Sequence, residues 1–112
     1  MKIFLVGFMG CGKTTLGSKL ATRLNYEFVD LDKAIEAAAG MSIAEYFGEF
    51  GEQKFRELER DTLQKAALSQ NSVIATGGGA PCFFHNMDWM NKNGLTIYIS
   101  LSPKALANRL KD

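Results

Sequence analysis

Histidine and tryptophan occur once each in this chain, cysteine and proline twice. Cys11 and Cys82 are too few and too far apart for a metal-type cluster or a disulfide framework, so the chain reads as a cytosolic protein with reduced thiols. His85, the sole histidine, reads as a surface residue rather than a base. Charge of one sign is also missing: 13 Lys and Arg against 12 Asp and Glu leave a net charge of +1, which gives no reason to expect a nucleic-acid partner. No apolar run is long enough to span a membrane. Met1 is followed within two residues by a strand pattern, so no leader peptide is expected. No repeat, low-complexity stretch or linker divides the sequence. The 112 residues therefore read as a single domain, with 46% hydrophobic residues available for a core.

What is present is concentrated in the first fifteen residues. The apolar run 3–6 has the length of a buried parallel strand. It is followed by Gly7-x-x-x-x-Gly12-Lys13-Thr14 and then by a helical pattern. This is the phosphate-binding loop in its expected setting between strand and helix. The glycines allow a tight turn whose N–H groups face an anion, and the helix that starts near Lys13 adds the positive end of its dipole. Lys13 is expected to reach the β- and γ-phosphates of a nucleotide and the Thr14 hydroxyl to ligate Mg²⁺. Gly10, Cys11, Gly12 and Thr15 complete the expected ATP-binding loop, with Cys11 as a small filler residue.

Further on, Leu16, Leu20 and Leu24 form one apolar stripe on a helix of about three turns. A second short strand over 26–30 makes a βαβ unit, which implies a parallel sheet. Asp30 and Asp32 then fall at the carboxyl end of that strand, the edge where open α/β sheets bind ligands. Asp32 also suits an N-cap for the next helix, and Asp30 an ordinary turn. Gly40 reads as a helix stop and Ser42-Ile-Ala-Glu45 as a capping box. The short helix so begun runs through Phe47 and is broken by Gly48 and Gly51, after which a longer helix covers 51–68 with Phe55, Leu58 and Thr62 on one side. On that helix Arg56 lies within one turn of both Glu52 and Glu59, a spacing that surface ion pairs also satisfy. A third strand over 72–76 leads into Gly77-Gly78-Gly79, either a flexible loop or a place where backbone closely approaches a ligand. A helix is expected within 82–93, with Trp89 as packing. A fourth strand is expected over 96–101, and a final helix capped by Ser102-Pro103 carries Arg109.

Together these segments resemble the shikimate kinase family of the P-loop small-metabolite kinases. The resemblance rests on Gly7-Phe-Met-Gly-Cys-Gly-Lys-Thr14, Asp30-Leu-Asp32, Ser42-Ile-Ala-Glu-Tyr-Phe47, Gly51-Glu-Gln-Lys-Phe-Arg56-Glu-Leu-Glu59 and Thr76-Gly-Gly-Gly79. It implies a three-layer α/β/α fold with a central parallel sheet, incomplete at the C-terminus. It implies transfer of the ATP γ-phosphoryl group to the 3-hydroxyl of shikimate, a step of aromatic amino-acid biosynthesis, with ATP and Mg²⁺ as cofactors. Lys13 and Asp32 then stand as catalytic residues. Asp32 is implied to bind the shikimate hydroxyls and to help orient or deprotonate the attacking one. Arg56, held by Glu59, is implied to pair with the shikimate carboxylate, Gly77, Gly78 and Gly79 to approach the substrate, and Phe47 and Phe55 to form an apolar wall. Asp30 is implied to hold Mg²⁺ through water, beside Thr14, and Arg109 to lie against adenine.

The departure from the family is in length. The Arg-Pro-Leu lid expected soon after Asp112, and a later arginine that also grips shikimate, are not among the 112 residues. The segment alone is therefore expected not to turn over efficiently. Two other readings remain: a kinase of the same fold for another small metabolite, such as gluconate, and a nucleotide-binding regulatory module without catalysis. The expected partners are ATP and shikimate, with no nucleic acid and no membrane, and the expected state is a monomer.

Overall fold

The structure is a computed structural model that describes residues 1–7, 13–68, 70–76 and 85–99. Four strands and four helices follow one another: β1 (Lys2–Gly7), α1 (Lys13–Leu24), β2 (Glu27–Asp30), α2 (Leu31–Ala39), α3 (Ile43–Ala66), β3 (Ser72–Ala75), α4 (Asn86–Asn93) and β4 (Leu95–Ile99). The strands form one parallel sheet in the order β2-β3-β1-β4. The register sets Leu5 beside Ala75, Ala75 beside Asp30, and Gly7 beside Ile99. The carboxyl ends of all four strands therefore reach one edge, where the 8–12 segment and the residues after Thr76 begin. That edge lies outside β1 and β3, neighbours whose connections lead to opposite ends of the sheet, which is where open α/β sheets form their crevice.

Alternation along the strands divides the core into two layers. Ile3, Leu5 and Val73 face α1 and pack with Ala21. Phe4, Val6 and Ile74 face the other way and pack with Leu31, Ile35, Phe55, Leu63 and Met90 from α2, α3 and α4. Trp89 closes this second layer edge-on to Phe4, with ring centroids 5.8 Å apart. The molecule is thus a three-layer α/β/α sandwich, as expected from the sequence.

The leucine stripe expected on α1 is displaced by one residue. Leu24 is exposed, Leu16 and Leu20 are half-buried, and the residues turned fully inward are Gly17 and Ala21. Small residues let the helix approach the sheet closely. A Cβ on Gly17 would stand 2.5 Å from Cε1 of Phe28 and 3.1 Å from Cδ1 of Leu5. Gly17→Ala is therefore expected to cost about 1–3 kcal/mol of stability through overpacking. In urea denaturation it should lower the midpoint with the slope unchanged, and an unshifted midpoint would show that Phe28 yields freely.

Two glycines shape the path of the chain from α2 through α3. Gly40 ends α2 in the left-handed region at φ 72°, its N–H donating to the Glu36 carbonyl. Gly51 sits inside α3 at φ 88° and ψ 173° and kinks it. The expected break at Gly48 is not found: the chain stays helical there, and Gly51 alone changes direction because only it leaves the helical region. The expected capping box is present, with Ser42 Oγ accepting from Glu45 N at 3.1 Å and the Glu45 carboxylate accepting from Ser42 N at 3.4 Å. The Glu36 carboxylate accepts from Ile43 N at 2.9 Å and ties the two helices together.

Candidate active site

The phosphate-loop residues Gly10, Cys11 and Gly12 lie outside the described residues, as do Gly77, Gly78, Gly79 and Arg109. What surrounds them is described. β1 ends at Gly7, and α1 begins at Lys13, so the helix N-terminus faces the loop that joins them. Lys13 and Thr14 occupy its first turn and Thr15 follows, exposed. On the neighbouring strand, the Thr76 N–H and hydroxyl both donate to the Leu5 carbonyl, at 3.0 Å and 2.9 Å. Thr76 therefore pins the end of β3 to β1. Sequence reasoning gave Thr76 no role; its signal was a buried threonine immediately before three glycines.

The acidic pair departs from expectation in one respect. Asp30, not Asp32, is the N-cap of α2: its Oδ1 accepts from Asp32 N at 3.1 Å and from Lys33 N at 3.4 Å. The physical reason is that α2 starts without a spacer after β2, so the last strand residue already has the extended backbone of a cap (φ −91°, ψ 111°). Asp32 does not supply the cap and sits half-buried in the first helical turn. Asp30→Ala is expected to lower stability by about 0.5–2 kcal/mol, and Asp30→Ser to restore most of it by supplying another capping oxygen. Urea midpoints of the two variants check this.

Arg56 is no surface residue. Its side chain is 18% exposed and that of Glu59 2%. Nη1 of Arg56 donates to both carboxylate oxygens of Glu59, at 3.1 Å and 3.3 Å. The i,i+3 spacing places the two on one face of α3, and that face turns toward the core because Phe55, Thr62 and Leu63 around it are buried. The guanidinium carbon lies 5.1 Å from the centroid of the Phe55 ring, and Phe47 stands against Phe55 with centroids 5.7 Å apart. Phe55 is buried, whereas Phe47 is 40% exposed. Glu52, one turn earlier on the helix, is exposed.

The electrostatics tie the two acidic regions together. Burial pushes the Glu59 carboxyl above the ordinary glutamate range; the Arg56 hydrogen bond and charge pull it back, and the charge of Asp32 pushes it up again. Asp32 on α2 is therefore close enough to act on a pair held by α3. One region of the molecule thus offers a planar cation, an apolar aromatic wall and a half-buried carboxylate at the carboxyl edge of the sheet. Those groups suit a small polyol that carries a carboxylate. His85, the N-cap residue of α4, is 91% exposed in its side chain, in keeping with a surface residue.

A family model for shikimate kinase matches residues 9–112. The shikimate kinase of Bacteroides thetaiotaomicron is 50% identical over 111 residues, which cover 99% of this chain and 63% of that protein. A crystal structure of shikimate kinase from the same species superposes with a TM-score of 0.88 at 50% identity, over 99% of this chain and 63% of that one. A shikimate kinase from Acinetobacter baumannii, solved in complex with shikimate, gives a TM-score of 0.86 at 37% identity, over 96% of this chain and 60% of that one. The chain thus spans a little under two thirds of the length of the relatives it matches. With a family model matched over most of its length and relatives of such high identity, the chain belongs to the shikimate kinase family.

Proposed function

We propose that the protein is a shikimate kinase, transferring the γ-phosphoryl group of ATP to the 3-hydroxyl of shikimate to give shikimate 3-phosphate and ADP. The observation that carries the reading is the Arg56–Glu59 pair: a largely buried guanidinium beside an aromatic wall, in reach of the Asp32 charge. A planar fork of donors suits an acceptor that carries a carboxylate.

In this reading Arg56 binds the acceptor carboxylate, Phe47 and Phe55 pack against its ring, and Asp32 holds the hydroxyls and aligns or deprotonates the attacking one. Gly77, Gly78 and Gly79 bring backbone to the acceptor. Gly10, Cys11, Gly12, Lys13, Thr14 and Thr15 enclose the ATP phosphates, with Lys13 and the α1 N-terminus offsetting charge on the β- and γ-oxygens. Arg109 is assigned to adenine. Phosphoryl transfer needs alignment and charge neutralisation more than covalent help, and those are what these side chains can supply.

The residues present also fit Mg²⁺. Among the described residues no group of three or more His, Cys, Asp or Glu could hold a metal on its own. The Thr14 hydroxyl and Asp30 carboxylate are hard oxygen donors, few in number, as suits a cation that takes its other ligands from water and phosphate. Oδ1 of Asp30 is committed to the α2 cap, which agrees with contact through water. When bound, Mg²⁺ neutralises charge on the transferring phosphoryl group.

The reading extends to one kinase domain over 1–112, acting as a cytosolic monomer on ATP and shikimate without nucleic acid or membrane. No helix among the described residues is long and apolar enough to cross a membrane. A coupled ADP-release assay on the protein at its natural length, with shikimate, gluconate or no acceptor, tests the function. Turnover only with shikimate is expected. Turnover with gluconate would favour another kinase of this fold, and ATP binding without turnover a regulatory module.

A further inference from the structure

We propose that Thr76 is a positioning residue for phosphoryl transfer: its hydroxyl locks the end of β3 to β1 and so fixes how the acceptor lies against the phosphate donor; this rests on the shikimate reading above. The argument starts from the order of the strands. β3 lies between β2 and β1 and pairs with both. In that reading the acceptor is held by Asp32, just after β2, and the nucleotide by Lys13 and Thr14, on the helix that follows β1. The two substrates thus depend on strands that are not neighbours, and β3 joins them across the sheet. Its last residue, Ala75, has Leu5 on one side and Asp30 on the other. Thr76 comes next and is 2% exposed.

Two donors of Thr76 converge on one acceptor. Its N–H donates to the Leu5 carbonyl at 3.0 Å, continuing the ladder between the strands. Its hydroxyl donates to the same oxygen at 2.9 Å, a bond the ladder does not require. A carbonyl oxygen has two lone pairs, and here both are used. The ladder bond alone would satisfy Leu5, and a valine would fill the strand position with no hydroxyl to satisfy. What the hydroxyl adds is a second tie. The N–H bond leaves the strand end free to swing about a single contact. A further bond from a β-branched side chain, stiff at χ1, removes that freedom. At so buried a site the bond is also stronger than it would be in water. A shift of β3 against β1 would carry β2 and Asp32 with it and change their distance from the γ-phosphoryl group. Each binding site would survive by itself, but the two substrates would no longer be in line. A misplacement of about 1 Å can cost about 10²-fold in rate.

The test uses the protein at its natural length. Thr76→Val keeps the ladder bond and removes the hydroxyl. Its single-turnover rate, measured by rapid quench, should fall about 10–10²-fold while the KM values for ATP and shikimate change far less. Thr76→Ser keeps the hydroxyl without the methyl and should regain most of the rate. A role in packing alone predicts the reverse order, since serine leaves a gap that valine fills. Should the valine variant not fold, Thr76→Cys against Thr76→Ser decides the matter: the two are close in size, and the thiol is the weaker donor, so the cysteine variant should be the slower. A valine variant as fast as the unmodified protein, a serine variant slower than valine or no faster than cysteine, or a loss confined to one KM overturns the positioning role alone. No shikimate-dependent turnover in the unmodified protein overturns the substrate reading and the positioning role with it.

Discussion

Arg56→Ala is expected to raise the shikimate KM about 10²-fold while the ATP KM changes little. A bidentate hydrogen bond between charged groups contributes about 1.5–3 kcal/mol, and each 1.4 kcal/mol is a factor of ten in affinity. The upper end applies because removal strands more than one group. Glu59 is almost fully buried and would lose the cation that both bonds and neutralises it. Breaking one side of a buried pair costs about 3–5 kcal/mol where the remaining charge has no other support. Part of that cost falls on folding, so stability should be measured beside kinetics. Glu59 relieves its share by protonation: with its carboxyl raised above the unfolded value, the stability tied to it is present at acid pH and lost as pH rises through the raised value. The variant should therefore be least impaired in stability at acid pH. Arg56→Lys should recover only part of the affinity, because an ammonium is a point charge without the planar fork. Equal rises in the KM values for shikimate and ATP would mean that Arg56 supports the fold rather than the acceptor.

Asp32→Asn is expected to lower kcat by about 10²–10⁴-fold, the usual loss when a positioned general base or orienting carboxylate is removed. The amide keeps the shape and stays compatible with the first turn of α2. The helix should survive, because its capping oxygen belongs to Asp30. The variant also removes a negative charge that acts on Glu59. The Glu59 carboxyl should then move back toward the ordinary range, and the shikimate KM should rise far less than in Arg56→Ala. Rapid-quench measurement of a single turnover separates the chemical step from product release. A chemical rate within a few-fold of the unmodified protein would leave Asp32 a binding role only.

Much of this architecture was legible because local signals agreed with tertiary ones. The strand, glycine loop and helix of residues 3–24 carry their own start and stop chemistry, and β1 and α1 appear where that chemistry puts them. Gly40 and the Ser42–Glu45 box were readable for the same reason, since a left-handed glycine and a reciprocal cap depend on adjacent residues alone. What escaped was set by distant contacts. The inward face of α1 follows Gly17 and Ala21 and not the leucines, because Phe28 and Leu5 on the sheet leave room only for small residues. The cap passed from Asp32 to Asp30 because β2 runs into α2 without a loop, a boundary that periodicity does not resolve.

The site divides in the same way. Helical spacing alone allowed Arg56 to be a surface partner of Glu52 or Glu59, and only the packing of Phe55 and Leu63 buries it with Glu59. The action of the Asp32 charge on Glu59, 27 positions away along the chain, depends on how α2 lies against α3, which helical periodicity does not report. The Phe47–Phe55 contact spans the Gly51 kink, whose angle the glycine permits but does not specify.

The most direct test of the central claim is to identify the product. The protein at its natural length would be incubated with ATP, Mg²⁺ and shikimate, and the reaction followed by ³¹P NMR with through-bond correlation to the sugar-like ring protons. The account predicts a single new phosphomonoester on the 3-hydroxyl, formed in step with ADP and absent when shikimate is omitted. ADP formed at the same rate without shikimate, or phosphate on another hydroxyl, would contradict it.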